Sequence, residues 1–298
     1  MSRQHRKILL FGGSGDLGEG IRLCARATTP ATEVRVFPWT RVIRENLQSD
    51  PVGLAAHIED VTTPWAEFDI VFANGITDPK APWPDLKLSN ILFPASVIQA
   101  TQDRAGIRYL TLGTVFERFP DFAAGNPYVA SKLRLCEEVE ALSSLGNSGR
   151  IAHVRLHTVY GGKPKAHMFL GQIIQALEVG KEFRMSSGEQ LREYHHVHDV
   201  AGALLALLAR DWQAGPGPME LSSGAPVRLA DLAAAVFSGC GRLDLLKVGA
   251  IPSVPSDNRR HVFPRSDPSL LPYYRDPIVG VVTYLGSLSA HPLVKEAG

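Results

Sequence analysis

The chain of 298 residues has only three cysteines, Cys24, Cys136 and Cys240, too few and too widely spaced to frame disulfides or to supply a metal set. They read as small apolar core residues of a protein in a reducing cytoplasm. Excess charge is also lacking. With 31 basic and 30 acidic side chains the net charge is +1, so no global field draws the chain to nucleic acid or an acidic membrane, and any anionic ligand must be held by local arginines. Long apolar runs are missing as well. The longest helical one, 201–209, is far too short for a membrane span, and the run after the basic residues Arg3, His5, Arg6 and Lys7 reaches glycine too soon for a signal peptide. No internal repeat or low-complexity tract is visible. What remains, 45% hydrophobic and 20% charged, suffices to bury a full core.

The apolar stretch Ile8-Leu9-Leu10-Phe11 runs directly into Gly12-Gly13-Ser14-Gly15-Asp16-Leu17-Gly18, where Gly12, Gly15 and Gly18 stand at three-residue spacing before a helical pattern over 19–27. Strand, glycine turn and helix N-terminus in that order form a dinucleotide cradle, because the backbone must approach a pyrophosphate closely and the helix end favours negative charge. Gly12, Ser14, Gly15, Asp16, Leu17 and Gly18 are its candidate contacts. Asp16 is the odd member, a carboxylate near the phosphates, and is expected to face solvent.

A second strand, 34–37, ends without the carboxylate that takes the ribose hydroxyls in an NAD site. Arg41 follows instead and suits a 2′-phosphate, so the preference leans to NADP, with NAD possible. A third strand, 69–72, closes in the small turn Ala73-Asn74-Gly75, placed beside the cofactor. Strands and helices continue to alternate through a helix at 86–101 and a strand at 108–112, which predicts an α/β fold with a doubly wound parallel sheet.

Tyr128-Val129-Ala130-Ser131-Lys132 then opens a helix. Tyrosine and lysine four apart share one helix face, so an ammonium there lowers the phenol pKa and makes Tyr128 a usable proton donor. A hydroxyl from the end of the preceding strand, Thr111 or Thr114, would hold a substrate carbonyl oxygen, with Thr111 preferred. His195, His196 and His198 invite a metal reading, but in an extended segment neighbours point to opposite faces and no cysteine or acid stands at ligand spacing. No metal is expected.

Together these residues resemble the extended short-chain dehydrogenase/reductase family, whose members include nucleotide-sugar epimerases, dehydratases and ketoreductases. The glycine spacing is its extended form, and Pro127-Tyr128-Val129-Ala130-Ser131-Lys132 is similar to its catalytic helix. Arg155 to Gly161 resembles its strand-plus-loop motif, with Thr158 where asparagine is usual. The resemblance implies that Asp60-Val61 contacts adenine, that Asn90 supports a proton-relay water, and that Arg192 and, less directly, Arg259 bind a diphosphate, with Thr114 and Thr158 near the substrate. It also implies a Rossmann domain over 1–160, to which parts of 195–222 return, a smaller substrate-binding region over 161–298, and a homodimer.

Dehydratases of this family carry a threonine followed by two acids, whereas Thr111 is followed by Leu112-Gly113. Elimination therefore lacks its acid and base. Reduction needs only hydroxyl, tyrosine and lysine. The expected activity is NAD(P)H-dependent reduction of a keto group on a nucleoside-diphosphate deoxysugar, as a 4-ketoreductase, catalysed by Thr111, Tyr128, Lys132 and Asn90. The alternatives are a nucleotide-sugar epimerase with tightly bound NAD, and a non-catalytic NADP-binding regulator.

Overall fold

The structure is a computed structural model that describes residues 7–28, 32–38, 50–145, 149–210, 217–254, 259–267, 269–270 and 274–288. Arg41 lies outside these residues. The chain divides into two compact units: residues to Leu156 with Ala201–Leu221, and His157–Val200 with Ser222 onward.

The first unit is built on six strands, β1 (Ile8–Phe11), β2 (Val34–Val36), β3 (Phe68–Phe72), β4 (Ile107–Thr114), β5 (Ile151–Leu156) and β6 (Met219–Leu221). They pair in the order β6-β5-β4-β3-β1-β2, every pairing parallel. The expected α/β sheet is therefore present. β1, β3 and β4 are buried along their whole length, as near-continuous apolar runs require in a sheet covered on both faces. Phe11, Phe68, Phe72 and Phe93 lie among the fully buried side chains of this core, each worth about 1.5–3 kcal/mol of burial. β1 lies between β2 and β3, so the strand order reverses between β1 and β3, and ligands of such sheets bind outside the strand ends at that switch point.

Four helices bear on the site. Helix α1 (Asp16–Thr28) leaves the glycine turn, and α2 (Pro51–Thr62) is capped by the Asp50 carboxylate. The segment expected as one helix over 86–101 is broken into a short α-helix, Trp83–Lys87, a π-helical turn, Leu88–Leu92, and α3 (Phe93–Thr101). Helix α4 (Pro127–Ser144) starts with Asn126 accepting the Val129 N–H at 3.2 Å and Pro127 in its first turn. No helix among the described residues is long and apolar enough to cross a membrane.

The second unit has its own core, in which Leu170, Ile173, Leu177, Leu232, Val236, Phe237, Val281 and Leu285 meet from three helices. Its short strands include Thr158–Tyr160 paired with Tyr194–His196, and Leu191–Arg192 paired with Val227–Arg228.

Candidate active site

The glycine turn sits at the switch point. Gly12 has φ +82° and packs so tightly on the end of β3 that a Cβ would lie 2.5 Å from Asn74 N. A Cβ on Gly18 would overlap the Gly12 carbonyl, so α1 can seat on the turn only with glycine there. Gly15 donates its N–H to that carbonyl at 3.0 Å, and Asp16 opens α1 from an exposed position, as expected. Against Gly13 lies the Val36 side chain, at the end of β2 where a ribose-binding carboxylate was missing from the sequence.

The turn after β3 joins this cradle to the Tyr–Lys helix. Gly75 has φ +145°, and a Cβ there would stand 2.8 Å from Asn90 Oδ1 and 3.4 Å from Lys132 Nζ. Asn74 donates to the Ser89 carbonyl at 3.1 Å while its Oδ1 is buried without a partner, an acceptor left for a ligand. A glycine cradle that a Cβ would fill, together with this orphaned acceptor, fits a dinucleotide.

Asn90 has a different part from the one expected. The π-helical turn swings it inward, where Oδ1 accepts from Ile76 N at 2.8 Å and Nδ2 donates to Ile76 O at 2.9 Å and Ser131 Oγ at 2.8 Å. Its side chain is thus a clamp between the β3 turn and α4, with no amide hydrogen left for a relay water.

Lys132, 6% exposed, donates Nζ to the Leu112 carbonyl at 2.8 Å, and burial pulls its pKa down to about 8 although the Glu117 carboxylate opposes the shift. The Tyr128 phenol is shifted upward, by burial first and then by Glu117, while a hydrogen bond with the Thr114 side chain works against both. The phenol is thus pushed up rather than down as expected, because burial and a nearby carboxylate raise it.

The preference for Thr111 is corrected. Thr111 is fully buried, with Oγ1 2.9 Å from His153 Nδ1 and 3.3 Å from Ala152 O. Thr114, three residues on, stands at the end of β4, where its hydroxyl accepts the Phe116 N–H at 3.5 Å. An odd separation in a strand sends two side chains to opposite faces, so both threonines cannot serve one site.

The Asp60-Val61 assignment is also corrected. Both residues belong to the last turn of α2 rather than to a strand end, and the Val61 carbonyl accepts from Arg35 at 2.7 Å. Trp65, just beyond, bonds Glu33 at 3.1 Å and lies 5.8 Å from the Lys7 ammonium. Lys7 and Glu33 precede β1 and β2, so this corner is at the strand starts, opposite to the glycine turn.

Sequence reasoning missed Glu117. It is 2% exposed, and its carboxylate accepts from Thr114 N at 2.7 Å and Arg155 Nε at 2.9 Å and lies 3.1 Å from His153 Nε2. Thr114-Val115-Phe116-Glu117 spells a capping box for the 3₁₀ turn Val115–Arg118, a signal legible in the sequence. With Cys136 and His153 this carboxylate forms a cluster of metal-ligand types, but the Arg155 guanidinium already contacts Glu117 and, at 3.7 Å, Cys136 Sγ.

In the second unit, Leu191 N donates to the Arg259 carbonyl at 2.8 Å, so the stretches bearing Arg192 and Arg259 are neighbours. Thr158 lies on the strand paired with Tyr194–His196. His195 uses both ring nitrogens within the protein, 3.0 Å from Glu193 Oε2 and 3.1 Å from the Tyr274 hydroxyl, which leaves it no lone pair for a metal.

Residues 80–219 match the model of the NAD dependent epimerase/dehydratase family. The matched segment, just under half of the chain, is similar to that family over β4, the Tyr128–Lys132 helix and β5. No curated protein matches the sequence. Among solved structures the chain is similar to the dTDP-glucose 4,6-dehydratase DesIV of Streptomyces venezuelae, with 17% identity over 93% of this chain and 96% of that one and a TM-score of 0.69. It is also similar to a UDP-glucuronic acid 4-epimerase of Bacillus cereus, with 16% identity, 95% and 99% coverage and a TM-score of 0.68. MoeE5, solved with UDP-glucuronic acid and NAD, gives 16% identity, 93% and 98% coverage and a TM-score of 0.68. At such identities these likenesses establish the epimerase/dehydratase fold.

Proposed function

We propose that this protein reduces the 4-keto group of a nucleoside-diphosphate deoxysugar, with NADP(H) as the favoured cofactor and NAD(H) as the alternative. The observation that carries the reading is Tyr128 and Lys132 four apart on α4, with the Thr114 hydroxyl at the end of β4, next to a glycine cradle at the switch point. The nicotinamide cofactor supplies the hydride when bound. Thr114 holds the carbonyl oxygen, and Tyr128 gives its proton to that oxygen as negative charge develops. Lys132 stands against Gly75 at the cradle, placed to hold the ribose and to compensate the phenolate left behind.

Gly12, Gly15, Gly18, Asn74 and Gly75 would line the dinucleotide, and Arg192 with Arg259 would grip the diphosphate, for which guanidinium forks are suited. The preference for NADP(H) rests on the absent carboxylate at the end of β2, where Val36 meets Gly13. Reduction rather than elimination is supported by the acids near the hydroxyls: Glu117 is locked by Arg155 and held ionised, so it has no proton to give. The three free cysteines accord with a cytoplasmic protein, and a homodimer is expected from the family resemblance alone.

The test is incubation with NADPH or NADH and a panel of nucleotide 4-keto-6-deoxysugars, following loss of reduced cofactor. Oxidation with at least one sugar is expected. No oxidation with any, together with nicotinamide released from the denatured protein, would replace this reading by an epimerase with bound NAD, the cofactor named with the solved relatives above.

A further inference from the structure

The helix that leaves the glycine turn carries an arginine back onto it. Gly18 lies on the face of α1 that packs on the turn, where a Cβ would stand 2.8 Å from Gly13 Cα. Arg22 follows four residues later on the same face, and helical side chains lean toward the N-terminus, so its guanidinium falls over the turn. Half-buried there, Nη1 donates to the Gly13 carbonyl at 3.5 Å.

Gly13 is also where β2 meets the turn. A Cβ on it would lie 2.6 Å from Val36 Cγ2, so Arg22 and the last residue of β2 lie against the same glycine. In doubly wound sheets the end of this strand reads the adenosine ribose: a carboxylate takes the 2′-hydroxyl, and an arginine nearby takes a 2′-phosphate. Val36 brings no charge to that place. The guanidinium beside Gly13 does.

The pairing of this guanidinium sets it apart. Arg35, Arg108 and Arg155 of the same unit each meet a carboxylate, at 2.8, 2.7 and 2.9 Å. Arg22 meets none among the described residues, although Asp16 and Glu19 stand in the first turn of its own helix. Its one bond is long, and the rest of its five N–H donors are left for water or an anion. A planar fork of that kind matches phosphate oxygens two at a time.

We propose that Arg22 is the residue that selects NADP(H), its guanidinium pairing with the 2′-phosphate of the adenosine ribose at the end of β2. NAD(H) has a hydroxyl at that position and gains neither this pair nor the carboxylate bond that Val36 leaves out. The inference rests on the cofactor favoured in the function proposed above and gives that choice a residue on α1.

The test is fluorescence titration of the full-length protein with NADPH and NADH, in the wild type, Arg22→Gln and Arg22→Lys. The wild type is expected to bind NADPH about tenfold or more tighter than NADH. Arg22→Gln should lose that advantage while its NADH affinity stays within about twofold, and Arg22→Lys should recover part of it as a point charge. A folded Arg22→Gln that keeps the wild-type ratio, or that weakens both cofactors alike, overturns the proposal and leaves the preference for NADP(H) standing. The wild type alone supplies a second measure, competition by 2′,5′-ADP and by 5′-AMP, which differ only in the 2′-phosphate. The first should compete about tenfold more strongly. Equal competition overturns the proposal together with the preference for NADP(H), and the reduction itself is then decided by the sugar panel with NADH.

Discussion

Thr111 Oγ1 lies 2.9 Å from His153 Nδ1 inside the sheet, and that contact separates its role from that of Thr114, whose hydroxyl stands at the end of β4 over the following turn. Thr114→Val should therefore lower turnover by about 10²-fold, the cost of removing a donor to a developing oxyanion. Thr111→Val should leave turnover within a few-fold and cost about 1 kcal/mol of stability. Steady-state rates and urea denaturation of the two variants side by side separate these outcomes.

Tyr128→Phe removes one hydroxyl and nothing from the cradle. Reduction should vanish while NADPH affinity, read by fluorescence titration, stays within about twofold. Retained turnover would remove Tyr128 from the chemistry.

Lys132 predicts a pH dependence of stability. Burial lowers its pKa from 10.5 to about 8, so between those values the unfolded chain holds a proton that the folded chain has released. Stability contributed by this group therefore rises with pH across that window, and below it the cost of burying the charge remains. Chemical denaturation near pH 8 and near pH 10 should show this rise in the wild type and lose it in Lys132→Met.

Gly18→Ala would drive a methyl group into the Gly12 carbonyl. The backbone cannot yield as a side chain tip does, so a loss of about 1–3 kcal/mol is expected, together with loss of cofactor binding. Thermal unfolding with and without NADPH reads both.

Glu193 governs an acid limb in the second unit. Burial raises its pKa, but the hydrogen bond from His195, the nearby His157 and the Ser222 and Ser223 hydroxyls overcome this and bring it to about 2. With the folded pKa below the ordinary 4.5, its stabilisation is complete above 4.5 and is lost as pH falls from there toward 2. Glu193→Gln should unfold more easily at neutral pH and show a shallower decline over that range, followed by circular dichroism.

Much of the first unit was legible in the chain because its signals are local. A buried strand reads as four apolar residues, a cradle as glycines spaced by three, and a shared helix face as Tyr128 and Lys132 four apart. The Asp60-Val61 pair failed for the same reason in reverse: a short motif carries no record of which sheet edge it occupies, and the amphipathic run from Leu54 made it the end of a helix. Asn90 was found at its position but not in its role, because a π-helical turn is a response to packing that no residue type announces.

What the sequence determined by itself is the α/β class, the cradle and the Tyr128–Lys132 spacing, all consequences of periodicity and of glycine's missing side chain. That Thr111 is taken up by His153, and that Glu117 is held by His153 and Arg155, were decided only when β4 and β5 paired in register with Thr111 opposite His153 and Gly113 opposite Arg155. These residues are about forty positions apart in the chain. Only strand pairing brings them together, and once it buries the carboxylate its partners must be at hand, because a lone charge there would not be tolerated.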